Sequence, residues 1–351
     1  MQLLQPLTIG DLRLSNRVIM APLTRCRATG SARVPNQLMA EYYAQRSSAG
    51  LIISEATSVS PMGVGYPATP GIWSQDQVDG WKLITQSVHE QGGKIFLQLW
   101  HVGRISHPIY LNGQLPVGAS AIAAEEHVSL LRPKAPYPVP RPVNLAEIPD
   151  IIESYRQGAI NAQKAGFDGV EIHGANGYLL DQFLQDSANH RQDEYGGTIE
   201  NRARLMLEVT DAVISVWGSG RVGMHLAPRG DAHSMGDSNK QATFTYLARQ
   251  LGNRKLAFIC AREHLGEDRI GPQLKSVFGG IYIANENFTP ESGEEILQRG
   301  EADAVAFGRS FIANPDLPKR IERQASLNTP NPTTFYAAGV EGYTDYPFLE
   351  P

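Results

Sequence analysis

The sequence predicts an α/β fold, a (β/α)8 barrel, and three observations lead there. Short β-branched apolar runs recur along the chain, each followed by a turn and a segment of helical period, and eight such pairs can be marked. No G-x-G-x-x-G follows the first strand, which runs into Ala21-Pro22-Leu23-Thr24-Arg25, so a doubly wound sheet would lack its phosphate turn. The length of 351 residues suits one large single-core barrel, with 42 % hydrophobic residues to fill it.

The elements follow in order. Before the first strand, Leu3, Leu7, Ile9, Leu12 and Leu14 read as a short hairpin turned at Gly10-Asp11, a piece suited to plug the barrel bottom. The strands are expected at Arg17–Ala21, Leu51–Ala56, Lys94–Trp100, Gly169–His173, Val222–Leu226, Leu256–Cys260, Gly280–Ala284 and Ala304–Phe307. The helices are expected at Asn36–Ser47, Gln77–Gln91, Ile148–Ala165, Glu200–Val216, Gln241–Leu251, Gln273–Phe278, Ser292–Arg299 and Pro315–Ala325. In the third helix Ile148, Ile151, Ile152, Tyr155, Ala159 and Ala162 recur at steps of three and four, and Lys164-Ala165-Gly166 supplies a basic last turn and a stop. Residues 104–146, Pro-rich and without helical period, are too long for a plain loop. They read as a lid inserted after the third strand, over the C-terminal mouth where barrel active sites sit. The whole of 1–351 is thus expected to be one barrel domain.

Composition excludes several functions. Lys+Arg 31 against Asp+Glu 36 gives a net charge of −5, which fits neither nucleic acid nor an anionic membrane as partner. No run approaches the roughly 18 apolar residues of a membrane span. The N-terminus lacks a basic, then apolar, leader pattern. Two cysteines, Cys26 and Cys260, make neither a disulfide framework nor a cysteine metal cluster, and a reducing, cytoplasmic setting is expected. His101 and His107 have no ligand partner at metal spacing, so no metal is expected.

Side chains two apart on a strand share a face. Gln98 pairs this way with Trp100 and Glu171 with His173; His225 lies near the end of the fifth strand. Polar groups facing a barrel interior are costly unless satisfied. One such residue reads as a core histidine bonded to a carbonyl, whereas three converging on one mouth read as a site.

The stretch His173-Gly174-Ala175-Asn176-Gly177-Tyr178-Leu179-Leu180-Asp181-Gln182-Phe183-Leu184 carries the sharpest signal, and around it the chain resembles the flavin-dependent old yellow enzymes, ene-reductases of the N-ethylmaleimide reductase type. Further marks are Asn16 through Arg25, Gln98-Leu99-Trp100-His101-Val102-Gly103-Arg104, His190 through Gly197, Glu200-Asn201-Arg202, Ala306-Phe307-Gly308-Arg309, Phe335-Tyr336 and Glu341 through Pro347, so the resemblance covers nearly the whole chain. It implies an FMN-containing (β/α)8 barrel that takes hydride from NADPH or NADH and, by ping-pong turnover, reduces C=C bonds activated by a carbonyl, imide or nitro group. The implied partners are enones, maleimides and nitroalkenes, handled by a monomer or small homo-oligomer.

The resemblance also implies roles. His173 and Asn176 would donate to one substrate oxygen and stabilise its enolate-like charge. Tyr178 would protonate the α-carbon. Pro22 and Leu23 would pack on the flavin ring, Thr24, Ala56 and Gln98 would bond its pyrimidine side, and Asn285, Gly308 and Arg309 would serve the phosphate, with Glu286 turned away. Tyr66, Trp100 and Tyr336 would wall the substrate pocket, with Ile105 and Arg132 as lid candidates. Met62, Met235 and Trp73 read as packing.

One position departs from the family pattern. His225 stands where most relatives carry an arginine beside flavin N1 and O2. Histidine is shorter, has no guanidinium fork, and has a reference pKa near 6.5. A lower midpoint potential is expected, unless another arginine compensates; Arg229, four residues on, is the nearest candidate. Among rivals, a phosphosugar aldolase needs a strand-end lysine or carboxylate base, and no expected strand ends in lysine. An Fe–S relative needs more than two cysteines. A non-catalytic flavin-storage barrel differs only in turnover.

Overall fold

The computed structural model describes residues 1–350. Eight parallel strands close on themselves: β1 (Val18–Met20), β2 (Leu51–Ile53), β3 (Ile95–Trp100), β4 (Gly169–His173), β5 (Val222–Leu226), β6 (Phe258–Arg262), β7 (Ile281–Asn285) and β8 (Ala304–Phe307). β8 pairs with β1, and β2 pairs with both β1 and β3, which closes the ring. The helices that follow the strands are α1 (Gln37–Gln45), α2 (Gln75–Glu90), α3 (Ile148–Lys164), α4 (Ile199–Trp217), α5 (Lys240–Asn253), α6 (Gly271–Phe278), α7 (Pro290–Gln298) and α8 (Leu317–Glu322). Two short helices, Leu179–Leu184 and Arg309–Ala313, add to these after β4 and β8. Among the described residues no helix is long and apolar enough to cross a membrane.

Alternation along each strand builds two cores. Ile19, Ile53, Phe96, Phe258, Cys260, Ile283 and Ala306 point into the barrel, while Met20, Ile52, Leu97, Ile172, Met224 and Val305 pack outward under the helices. The barrel floor is closed from below by the hairpin, whose strands Leu7–Ile9 and Leu12–Leu14 pair with Ile9 opposite Leu12. Ile9, Leu12 and Leu14 belong to the interior cluster, so the hairpin is the expected plug; Leu3 falls outside it, in a 3-10 turn. Phe96 and Phe258 fill the lower barrel with ring centroids 5.9 Å apart. Gly223 makes room for them, since a Cβ there would lie 2.2 Å from Phe258 Cζ.

Two boundaries differ from the sequence reading in ways that matter. β6 runs from Phe258 to Arg262, not from Leu256 to Cys260, which carries Arg262 to the barrel mouth on the inward face shared by Phe258 and Cys260. The final helix is shorter than Pro315–Ala325. Within the insertion after β3, Val117–Gly118 pairs with Arg141–Pro142, and Val128, Leu131 and Tyr137 pack with Tyr66, Trp100 and Ile105 above the barrel. Ile105 is buried in that cluster and is not a pocket wall.

Helix α2 starts on a complete capping box, Ser74 accepting from Gln77 N and Gln77 reaching back to Ser74 N at 3.1 Å. Ser74→Ala is expected to cost about 1 kcal/mol. A denaturant titration checks it, as a lower midpoint at unchanged slope.

Candidate active site

A cavity of about 490 Å³ opens at the C-terminal ends of the strands. Pro22, Leu23 and Thr24 form one wall, where the chain leaves β1, and Ala56 lines the cavity beyond β2. Gln98 and Trp100 enter from β3, His173 from β4, His225 from β5, and Asn285 from β7. Gly308 and Arg309 follow β8 at the far end. Asn176 and Tyr178 come from the loop after β4, and Tyr336 from the C-terminal segment. Tyr66 does not line this cavity; it lines an adjoining one that shares Thr24, Tyr178 and Tyr336, and Arg132 joins it there. The C-terminal segment is held by buried arginines, with Arg25 Nε and Arg27 Nη1 each donating to Phe335 O at 3.0 Å.

Beneath the cavity lies a buried polar layer. Register sets Gln98 opposite Glu171 and His173 opposite His225. Gln98 Nε2 donates to Glu171 Oε2 at 2.7 Å, and His225 Nδ1 lies 3.6 Å from Glu171 Oε1. Burial, reinforced by the charges of His225, Arg262 and His233, holds His173 well below the usual histidine range. Its ring is therefore neutral and offers one N–H. Tyr178 meets the His173 ring edge-on at 4.9 Å and the Trp100 ring at 5.0 Å, and burial pushes its phenol above the usual tyrosine value.

The turn that places these groups is fixed locally. Asn176 has φ 58 and Gly177 φ 76. Asp181 Oδ2 accepts from Gly177 N at 2.9 Å. Arg262 was not foreseen. Its Nη1 donates to Asn176 Oδ1 at 3.0 Å, and its Nη2 donates to Glu286 Oε1 at 3.1 Å. An arginine has no acceptor, so Asn176 must present its oxygen to it, which turns the amide NH2 away as a free donor. The signal was in the sequence as alternation: Phe258, Cys260 and Arg262 share a face once the strand is extended by two residues. Glu286 lines the cavity with its carboxylate on Arg262. Arg229 is not the compensating arginine. Its guanidinium is taken up by Glu263, Asp268 and the His264 carbonyl, and it does not line the cavity.

These residues fit FMN. Pro22 and Leu23 offer an apolar wall for a flat ring, and Arg309 stands exposed at the opposite end for a phosphate. Trp100 Nε1 and His173 Nδ1, on residues lining the cavity, are buried without a hydrogen-bond partner, as expected of groups that meet a ligand.

Comparison with known proteins agrees with this geometry. Residues 2–328 match the model of the NADH:flavin oxidoreductase / NADH oxidase family. The chain is 45 % identical to 12-oxophytodienoate reductase 1 of Oryza sativa subsp. japonica, covering 99 % of this chain and 93 % of that one. Among solved structures, the old yellow enzyme homologue from Zymomonas mobilis superposes with a TM-score of 0.97 at 45 % identity, over 99 % of this chain and 100 % of that chain. Morphinone reductase in complex with tetrahydroNAD gives 0.95 at 48 % identity, over 99 % and 98 %. The chain belongs to the NADH:flavin oxidoreductase / NADH oxidase family, and it is an FMN-dependent NAD(P)H ene-reductase of the old yellow enzyme type.

Proposed function

We propose that the chain reduces small alkenes activated by a carbonyl, imide or nitro group, with His173 and Asn176 holding the activating oxygen and Tyr178 protonating the α-carbon. The observation that carries this reading is the pair of donors at one turn: a neutral His173 and an Asn176 whose amide NH2 is freed by Arg262. When bound, FMN carries hydride from the nicotinamide coenzyme to the alkene. Pro22, Leu23, Thr24, Ala56, Gln98, His225, Asn285, Gly308 and Arg309 would hold it. Trp100, Tyr336 and, through the adjoining cavity, Tyr66 supply flat aromatic surface for varied substrates. The insertion over residues 104–146 acts as a lid, and the protein works in the cytoplasm as a monomer or small homo-oligomer; its two free, buried cysteines agree with a reducing setting. Mixing the NADPH-reduced, bleached protein anaerobically with an enone, a maleimide and a nitroalkene tests the substrate class. Each should restore the yellow colour, and failure of all three overturns the reading.

His225 sets a second expectation. Its only close charged partner in the layer is the Glu171 carboxylate, whereas an arginine there would add a permanent positive charge beside any anion above it. His225→Arg is expected to raise the flavin midpoint potential by some tens of mV, where 30 mV is about 1.4 kcal/mol for a two-electron couple. Potentiometric titration of both proteins decides it, and superimposable potentials would remove His225 from the flavin edge.

A further inference from the structure

Behind Tyr178 stand a second phenol and an imidazole. Tyr66 Oη lies 2.9 Å from Tyr178 Oη, and His233 Nε2 lies 3.4 Å from Tyr66 Oη. The other ring nitrogen, His233 Nδ1, lies 2.7 Å from the backbone oxygen of Asn176. A carbonyl oxygen only accepts, so Nδ1 carries the hydrogen. In the neutral ring Nε2 is then a bare lone pair facing Tyr66. His233 is partly exposed and borders two cavities, one shared with Tyr66 and Tyr178 and one with Glu125, Asp231 and Ser234. The three groups thus form an unbroken line from the reaction chamber to water.

The ring is held in this line by its loop. His233 and Ser234 both adopt left-handed backbone, with φ 58 and 61, a conformation that persists in non-glycine residues only where the surroundings enforce it. Arg104 Nη2 donates to His233 O at 2.9 Å, and Ser234 Oγ accepts from Glu125 N at 2.9 Å. Gly177 lets the loop approach: a Cβ there would lie 2.8 Å from Ala232 O and 2.9 Å from His233 Cβ. This ties the imidazole to the same turn that carries Asn176 and Tyr178.

We propose that His233 and Tyr66 form a proton relay that restores the Tyr178 phenol from solvent after each turnover. The proposal rests on Tyr178 as the α-carbon proton donor. As the α-carbon–hydrogen bond forms, the Tyr178 O–H bond breaks and leaves a phenolate. The Tyr66 proton moves to Tyr178, the bare His233 Nε2 takes a proton from solvent, and that proton passes on to Tyr66, which leaves Nε2 bare again. Each alkene consumes one solvent proton and the hydride of one coenzyme, and no other reactant is required. Burial makes the Tyr178 phenolate a strong base, which draws the proton along the line. Burial, helped by Arg104 and Arg262, opposes an extra proton on His233, while its bond to the Asn176 carbonyl and the charge of Glu126 favour one; the balance keeps the ring below the usual histidine range, so it passes a proton on and does not store it. Tyr137 and Tyr178 face it with their rings.

The test follows from the order of events. The resident Tyr178 proton serves the first alkene, and the relay is needed only for the next. In His233→Gln, the first turnover of pre-reduced enzyme with an enone is expected at near the unaltered rate, followed by steady-state turnover slower by at least about 10-fold, a modest share of what a general acid or base contributes. So kcat falls while kcat/KM for the enone holds, and added imidazole restores kcat. Tyr66→Phe combined with His233→Gln should be no slower than Tyr66→Phe alone, as for members of one chain. Nitrogen-15 spectra of the histidine-labelled protein should show His233 protonated at Nδ1 and bare at Nε2. An unaltered kcat in His233→Gln, or equal loss in the first and later turnovers with no response to imidazole, overturns the relay. The role of Tyr178 fails separately, if Tyr178→Phe leaves the first turnover unaltered.

Discussion

Replacing both His173 and Asn176 by alanine is expected to lower enone reduction by at least about 10²-fold, the usual cost of one lost oxyanion donor. As the β-carbon gains hydride, charge gathers on the activating oxygen. In the proposed site two donors, His173 and Asn176, would stabilise that charge without reorganising. Two features of the structure support this role. His173 is neutral because burial and neighbouring cations disfavour its charged form, so it can donate without first carrying a charge. Asn176 is turned by Arg262, whose positive charge also polarises the amide. Because the two donors share one oxygen, their single-variant losses should not sum to that of the double variant. Phenols supply a second reading. A phenolate is a stable mimic of the charged oxygen, and stacked on an oxidised flavin it should give a long-wavelength charge-transfer band. The double variant should lose that band while keeping its bound FMN, measured as absorbance per chain. A band of unaltered position and strength in the double variant removes these residues from the site.

What the sequence conveys, and what it hides, follows from where the deciding contacts come from. β8 is a continuous apolar run buried on both faces, while β4 and β5 interleave apolar residues with the inward polar Glu171, His173 and His225, and all three are legible to the residue. β6 is not, because its apolar run begins in the preceding turn: Lys255 has φ 57, and Leu256 and Ala257 complete the approach to the strand. Its register is set by its neighbours, Met224 opposite Ile259 on one side and Arg262 opposite Asn285 on the other. Arg262 accordingly looks like the first residue of a loop until the barrel is closed. Its partners, Asn176 and Glu286, lie 86 and 24 residues away, which no local pattern reports. Arg229 failed as a candidate for the same reason, since Glu263 and Asp268 claim it only once the loops after β5 and β6 meet. The hairpin plug was legible because a turn at Gly10 between alternating leucines is a local signal. The inner organisation of the insertion was not, being made of contacts from Val128, Leu131 and Tyr137 to residues on the barrel.

Tyr178→Phe should separate the two halves of turnover. The substitution removes one oxygen and keeps the ring, whose edge-on contacts with His173 and Trp100 remain. The lost hydroxyl bonds Tyr66 at 2.9 Å, a single hydrogen bond with a net worth of about 1 kcal/mol, so the fold should survive. Chemistry should not. A positioned general acid contributes typically about 10² to 10⁴-fold, and with no other phenol lining the reaction cavity but Tyr336, half-exposed at its rim, the enone half-reaction should slow by that order. The coenzyme half-reaction moves hydride without a proton from Tyr178 and should proceed nearly unaltered. Nitroalkenes should suffer less than enones, because a nitronate is stable enough to leave before its carbon is protonated. The pH dependence has a definite sign. The phenol must be protonated to act, and burial raises its pKa, so the first-turnover enone rate should stay flat through neutrality and decline only above the ordinary tyrosine value near 10. Rapid-mixing traces of the two half-reactions, taken across pH in both proteins, measure all of this. If the halves slow together, the hydroxyl of Tyr178 holds the pocket's shape and delivers no proton.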